Sequence, residues 1–162
     1  MVEIKENFLD KNLLKEYQSF LMGDSFAWSY QNKVSSENDN SDYFFCHSLF
    51  TNNQQVSPHF QNILMPILGQ LKFKYLLRAK VNLYTKKDKE IPSEFHIDFE
   101  EPHTVALFSV NTNNGYTLFK KSGEKIYSKE NQLIIFDGSL EHCSVAQTDE
   151  TIRVNINIDL KT

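Results

Sequence analysis

The chain has 162 residues, 40% hydrophobic and 23% charged, with a formal net charge of −4. A length near the ~150-residue domain scale predicts one domain, residues 1–162, that buries about 70% of its extended surface without disulfide staples. The acidic balance argues against a broad nucleic-acid surface, and no run approaches the ~20 apolar residues of a membrane span.

Cys46 and Cys143 are too few for a secreted disulfide framework and read as reduced thiols of a cytoplasmic protein. The charged start "MVEIKENFLDK" does not read as a signal peptide. In chain order, "LDKNLLKEYQSFLMGDS" predicts an amphipathic helix. Asp10 would cap it, Leu13, Leu14, Tyr17, Phe20 and Leu21 would share one face, and Gly23 would stop it. Residues 32–42, "NKVSSENDNSD", read as a polar loop, and "DYFFCHSLF" as a strand. "SPHFQNILMPILGQL" predicts a second helix from Ser57 and Pro58, with a kink at Pro66 and an end near Gly69.

From residue 71 the pattern becomes a succession of short strands: "YLLRAKVNLYT", "SEFHIDF", "TVALFSV", "GYTLFK", "EKIYS", "QLIIFDG", "HCSVAQ" and "TIRVNINIDL". Turn-forming clusters of Asn, Gly, Ser and Asp separate several of them. Such a chain should be mainly β, with a jelly-roll core over residues 71–160 and helices and loops of residues 1–70 buttressing one of its two sheets. The charge run "KKDKE", residues 86–90, reads as a solvated loop that could serve as a lid.

Two strands alternate strictly. Ile152, Val154, Ile156, Ile158 and Leu160 oppose Arg153, Asn155, Asn157 and Asp159; Leu77, Ala79, Val81 and Leu83 oppose Arg78, Lys80, Asn82 and Tyr84. The polar faces either meet solvent or line a cavity inside the roll. In a cavity, Arg153 would be costly unless it met an anion, and its planar fork suits a carboxylate. "FHIDFEE" raises the same choice for His96 and Asp98. On a strand they share a face while Phe95, Ile97 and Phe99 form an apolar wall behind, so they are either two metal ligands or polar positions of a half-buried strand.

A third ligand is sought among His47, His59, His103 and His142. His142 opens the strand after "QLIIFDG", 44 residues beyond Asp98, and Arg153 follows 11 residues later. The order H-x-D, distant H, then R resembles the Fe(II)- and 2-oxoglutarate-dependent dioxygenases, nearest their prolyl-hydroxylase-like branch. The resemblance covers residues 71–160 and includes "FDGSLEH" and "RVNINI". Over the whole chain, "MGDSFAW", "KVNLY" and "GYTLF" are similar to the short oxygenases of this family in marine bacteriophages, which would place the protein in a host cytoplasm.

The resemblance implies a double-stranded β-helix (jelly roll) and Fe(II) held by His96, Asp98 and His142. It implies 2-oxoglutarate and O2 as co-substrates, with ascorbate as an activator, and release of succinate and CO2 as a peptidyl (prolyl-like) or small-molecule substrate is hydroxylated. Arg153 would clamp the distal carboxylate of 2-oxoglutarate, Tyr84 would donate a hydrogen bond to it, and Asn157 would lie on the same face. Ser109 falls where the nearest prolyl hydroxylases carry another tyrosine, so their pocket does not transfer whole. His47 and His59 read as structural, His103 as a lesser site candidate, and Cys143 as a small core residue. The other readings are a non-catalytic jelly-roll binding module and a zinc hydrolase using Glu100 or Glu101 as base. Nucleic acid is the least favoured substrate, and the oligomeric state is open.

Overall fold

The structure, a computed structural model, describes residues 2–33 and 43–162; most of the polar loop expected at 32–42 lies outside them. The described elements run β1 (Glu3–Lys5), α1 (Lys11–Leu21), β2 (Ser29–Gln31), β3 (Phe44–Thr51), β4 (Gln54–Gln55), α2 (Phe60–Leu68), β5 (Tyr75–Thr85), β6 (Thr104–Ser109), β7 (Tyr116–Phe119), β8 (Lys125–Tyr127), β9 (Gln132–Asp137), β10 (His142–Val145) and β11 (Ile152–Lys161). A major sheet has the order β1-β9-β6-β11-β5-β3-β2, with β4 on β3; a minor sheet has the order β10-β7-β8. No helix of the described residues is long and apolar enough to cross a membrane.

α1 begins where expected: the Asp10 carboxylate accepts the Asn12 N–H at 2.8 Å, satisfying a donor that the first turn leaves free. α2 starts later than predicted, at Phe60, because residues 58 and 59 form a turn ahead of the helix. It continues through Pro66, which offers no N–H to the carbonyl of Asn62 four residues back. The Tyr17 hydroxyl of α1 turns to that point, donating to the carbonyls of Ile63 and Asn62.

Leu14, Tyr17 and Leu21 of α1 and Ile63, Leu64, Ile67 and Leu68 of α2 pack on Ala79, Val81, Ala106, Phe108, Val154, Ile156 and Ile158 of the major sheet. Each Leu, Ile, Val or Phe among them contributes about 1.5–3 kcal/mol when fully buried. The apolar rows of β5 and β11 therefore face the helices, and their polar rows face the minor sheet. Along β6 and β9 the interior is instead apolar, with Val105, Ile134 and Phe136 against Phe119 and Ile126. The hollow of the roll is polar only where β5 and β11 line it.

One predicted strand is absent. Residues 93–99 form no ladder, and the chain here is paired with β10 only by the isolated bridges Pro92↔Val145 and His96↔His142. Pro92 and Pro102 bound it and cannot donate to a ladder, and the acidic residues between them favour water over strand pairing. The apolar wall expected behind His96 and Asp98 is absent with it: Phe95 is 36% and Ile97 38% exposed. Only Phe99 is covered, by the Arg78 guanidinium 4.9 Å from its ring centroid and by His103. The preceding charge run is tied down by Lys86 N–H to Thr151, Lys87 N–H to Gln147 and Ser93 N–H to Ser144.

Candidate metal centre and anion pocket

His96 and His142 are joined by a single antiparallel bridge. Each donates its N–H to the other's carbonyl at 3.0 Å. A pair that exchanges both bonds holds its side chains on the same side, so one bridge does the work expected of a whole strand. The ring centroids stand 4.8 Å apart. Both imidazoles are set in the same way: Nδ1 of His96 lies 3.2 Å from the Glu94 carbonyl, and Nδ1 of His142 3.0 Å from that of Leu140. A carbonyl only accepts, so Nδ1 carries the proton and Nε2 keeps its lone pair.

Asp98 completes the group. One carboxylate oxygen pairs with Arg78; the other, Oδ2, is buried without a hydrogen-bond partner and lies 3.6 Å from His142 Nε2. One potential ligand atom from each of His96, Asp98 and His142 lies within 4.8 Å of the other two. Two imidazole nitrogens and one carboxylate oxygen facing one point suit a divalent transition metal with open positions, and an orphaned buried carboxylate oxygen is the atom such an ion would satisfy. Burial pushes the Asp98 carboxyl upward, but Arg78, Lys80 and the two imidazoles outweigh it and hold it below the usual range. Burial also lowers His142, against the pull of Asp98, which keeps the imidazole neutral and able to ligate.

Across the same cleft stands Arg153, 2% exposed. Its guanidinium donates to the Val145 carbonyl at 2.9 Å and the Ser144 hydroxyl at 3.1 Å, while Nε is buried without an acceptor. Among the described residues no carboxylate pairs with it. Burial lowers its pKa, with Tyr84 acting against that. Tyr84 is its partner in the β5–β11 register, lies with its ring centroid 5.4 Å from the guanidinium carbon, and stacks on Phe44 at 5.6 Å. Gly115 makes room for Arg153: a Cβ there would meet its Cδ at 2.9 Å.

The remaining rows of the ladder are Asn82 with Asn155, Lys80 with Asn157, and Arg78 with Asp159. Asn82 donates to Asn155 at 3.0 Å, and Arg78 Nε to Asp159 at 2.8 Å. Burial and the neighbouring Asp98 push Asp159 up to about 6, against Arg78. Asn157 lines the cleft with its Oδ1 unpartnered, but four residues, ~13 Å of strand, separate it from Arg153. It therefore belongs to the Asp98 end rather than the Arg153 end.

His103 is closer to the centre than its sequence position suggested. It packs on Gly138, and a nitrogen of its ring falls within 4.8 Å of carboxylate oxygens of Asp98 and Asp159, a space that Arg78 already bridges. His47 is structural, bonded to Ala27 O at 2.8 Å and Ser57 Oγ at 2.7 Å, and its ring stacks near Phe26 and His59. Cys143 is buried and Cys46 half-buried, and both are free thiols. Glu100 is exposed and Glu101 pairs with Lys161 at 3.4 Å, so neither faces the cleft as a hydrolytic base. Arg78 and Lys80 were not assigned roles from sequence, although the strict alternation of β5 had marked their face.

No protein-family model matches the chain, and no curated protein sequence does. Solved structures match along its whole length. A 2OG-Fe(II) oxygenase family oxidoreductase from Burkholderia pseudomallei aligns with TM-score 0.73 at 12% identity, covering 99% of this chain and 85% of that one. The fold is that of the 2-oxoglutarate/Fe(II) oxygenases. A Pseudomonas putida prolyl-4-hydroxylase aligns with TM-score 0.64 at 11% identity, covering 99% and 92%. HygX from Streptomyces hygroscopicus, solved with nickel, 2-oxoglutarate and hygromycin B bound, aligns with TM-score 0.61 at 10% identity, covering 99% and 83%. None of the three is a bacteriophage protein, so the phage likeness rests on the sequence stretches alone.

Proposed function

We propose that the chain is one Fe(II)- and 2-oxoglutarate-dependent oxygenase domain over residues 1–162, with residues 71–160 as its catalytic roll. The observation that carries this reading is the pairing, in one cleft, of a two-histidine, one-carboxylate group with a buried arginine that has no acidic partner among the described residues. A metal site alone would need no such arginine. A buried guanidinium is costly unless an anion enters to meet it, and 2-oxoglutarate carries carboxylates at both ends, one for each half of the cleft.

In this reading His96 and His142 offer Nε2, and Asp98 offers Oδ2. Arg153 binds the distal carboxylate through its fork, and the Tyr84 hydroxyl donates to the same group. Burial raises the Tyr84 phenol above its usual range, so it stays protonated and able to donate. An Fe(II) held by His96, Asp98 and His142 would supply the oxidation that couples loss of CO2 from 2-oxoglutarate to hydroxylation. Thr117, Ser144 and Leu107 line the cleft beside these groups. The substrate is a peptidyl residue, by likeness to the prolyl-4-hydroxylase, or a small molecule, by likeness to HygX.

The test is incubation with Fe(II), ascorbate and 2-oxoglutarate, following succinate, with mass spectrometry of candidate substrates for a gain of one oxygen atom. Slow uncoupled succinate release is expected even without substrate. An iron-loaded protein that binds no 2-oxoglutarate and makes no succinate would instead be a metal-binding jelly-roll module.

A further inference from the structure

The polar ladder contains one cation that the reading above leaves without a counter-charge. Lys80 lines the cleft with His96, Asp98 and His142, on the row it shares with Asn157. Among the described residues it makes no salt bridge or hydrogen bond, and its ammonium lies 5.8 Å from the Phe44 ring centroid. The other charges of the cleft are matched. Arg78 touches both Asp98 and Asp159, and its single charge is matched by Asp159, which leaves Asp98 for the metal. Two charges of a divalent metal would be balanced by Asp98 and by the chelating carboxylate of 2-oxoglutarate, and Arg153 by the distal carboxylate. One positive charge remains, at Lys80. Its backbone stands four residues, ~13 Å of strand, from Tyr84, the row partner of Arg153, in the half of the cleft that holds Asp98. Beside it Asn157 lines the same cleft, and its Nδ2 amide group is the donor it could offer an anion there. Burial, with Arg78 adding to it, lowers the Lys80 pKa against the pull of Asp98 and Asp159. An incoming anion would reverse that effect.

We propose that Lys80, assisted by Asn157, binds a carboxylate of the primary substrate, so that the substrate is an organic acid positioned by its own anionic end. A single leftover charge matches a carboxylate better than a phosphate monoester, which carries about −1.5 to −2 at neutral pH. The proposal rests on the oxygenase reading, and it adds a substrate class to it.

The experiment uses the full chain loaded anaerobically with Mn(II), with and without 2-oxoglutarate. The probes are matched pairs of free L-amino acids or short-chain carboxylic acids and their primary amides, followed by thermal shift and calorimetry. At least one acid should bind ten-fold or more tightly than its amide. Lys80→Met should erase that preference while changing 2-oxoglutarate affinity less than two-fold, and Lys80→Arg should retain part of it. Amides binding as well as acids throughout the panel would overturn the proposal. So would a ten-fold loss of 2-oxoglutarate affinity in Lys80→Met, which would give the lysine to the co-substrate. Absence of 2-oxoglutarate binding to the parent protein would strike the oxygenase reading instead, since the acid-over-amide comparison is also made without it.

Discussion

Arg153 is set by its neighbours as much as by its own strand. Its stem passes beside Gly115, whose N–H is held by the Asn113 side chain at 3.0 Å, and a methyl group there would meet Arg153 Cδ at 2.9 Å and Asn113 Oδ1 at 2.8 Å. Those neighbours must shift if the methyl is added. Gly115→Ala is therefore expected to displace the fork and weaken 2-oxoglutarate binding about ten-fold or more in a calorimetric titration, while Mn(II) affinity stays near that of the parent. Direct truncation should cost more. Removing one partner of a buried, hydrogen-bonded charge pair costs ~2–5 kcal/mol, so Arg153→Ala should lose about two orders of magnitude or more in 2-oxoglutarate affinity. At the other end of the cleft, His142→Ala would remove one of the three proposed ligands while leaving the main-chain bridge to His96 in place. Metal analysis after dialysis should find the variant essentially empty, and full occupancy would remove His142 from the centre.

Among the elements, β5, β11, the Asp10 cap of α1 and the alternation of polar and apolar rows were legible in the sequence because each follows from a local pattern, whereas the C-cap of α1 is Met22, one residue before the expected Gly23. β5 runs over Tyr75–Thr85, the predicted eleven-residue stretch. The His96–Asp98 segment was misread as a strand because "FHIDF" has the right alternation, and only its bounding prolines and acidic neighbours hinted otherwise. β1, β2 and β4 are two or three residues long and carry no period to read. Arg78 and Lys80 could be placed on a polar face, but their partners Asp98, Asp159 and Asn157 are set by tertiary contacts between distant segments. The contact between α1 and α2 is of the same kind and makes a prediction at this scale. Tyr17 is buried and its hydroxyl donates to α2 carbonyls, so burial raises its pKa well above the ordinary ~10 of a free tyrosine. The folded state then holds the proton at pH values where the unfolded chain has lost it. Stability from this group is complete below pH ~10 and is lost as pH rises beyond that toward the folded pKa. Denaturant titrations from pH 8 to 11 should show a fall near the top of that range that is smaller in Tyr17→Phe. The same variant should lose about 1 kcal/mol at pH 8 for the missing hydrogen bond. An equal alkaline slope in the two proteins would assign the effect to other tyrosines.

Over the whole molecule, the proposed binding of an anion in the cleft carries a prediction about stability. Helices and sheet enclose a continuous apolar core on one side of β5 and β11, and the other side of the same strands carries a buried cation, Arg153, that no described acidic residue balances. A buried charge without a counter-ion destabilises the fold that contains it, and an apolar side chain of similar length often restores stability. Arg153→Met should therefore melt at the same temperature as the parent or a few degrees above it when both are free of metal and 2-oxoglutarate. With Mn(II) and 2-oxoglutarate at about 100 times their dissociation constants, each bound ligand adds ~2.7 kcal/mol to the folded state. For a chain of this size, that is roughly 5–10 °C in melting temperature per ligand. The parent should gain both increments and the variant only that of the metal, so the order of the two melting curves should reverse on adding 2-oxoglutarate. Differential scanning fluorimetry in the four conditions reads this directly. A variant that melts several degrees below the parent without ligands would mean that the bonds from Arg153 to Val145 and Ser144 outweigh its unmet charge, and the arginine would then be a structural residue rather than one held ready for an anion.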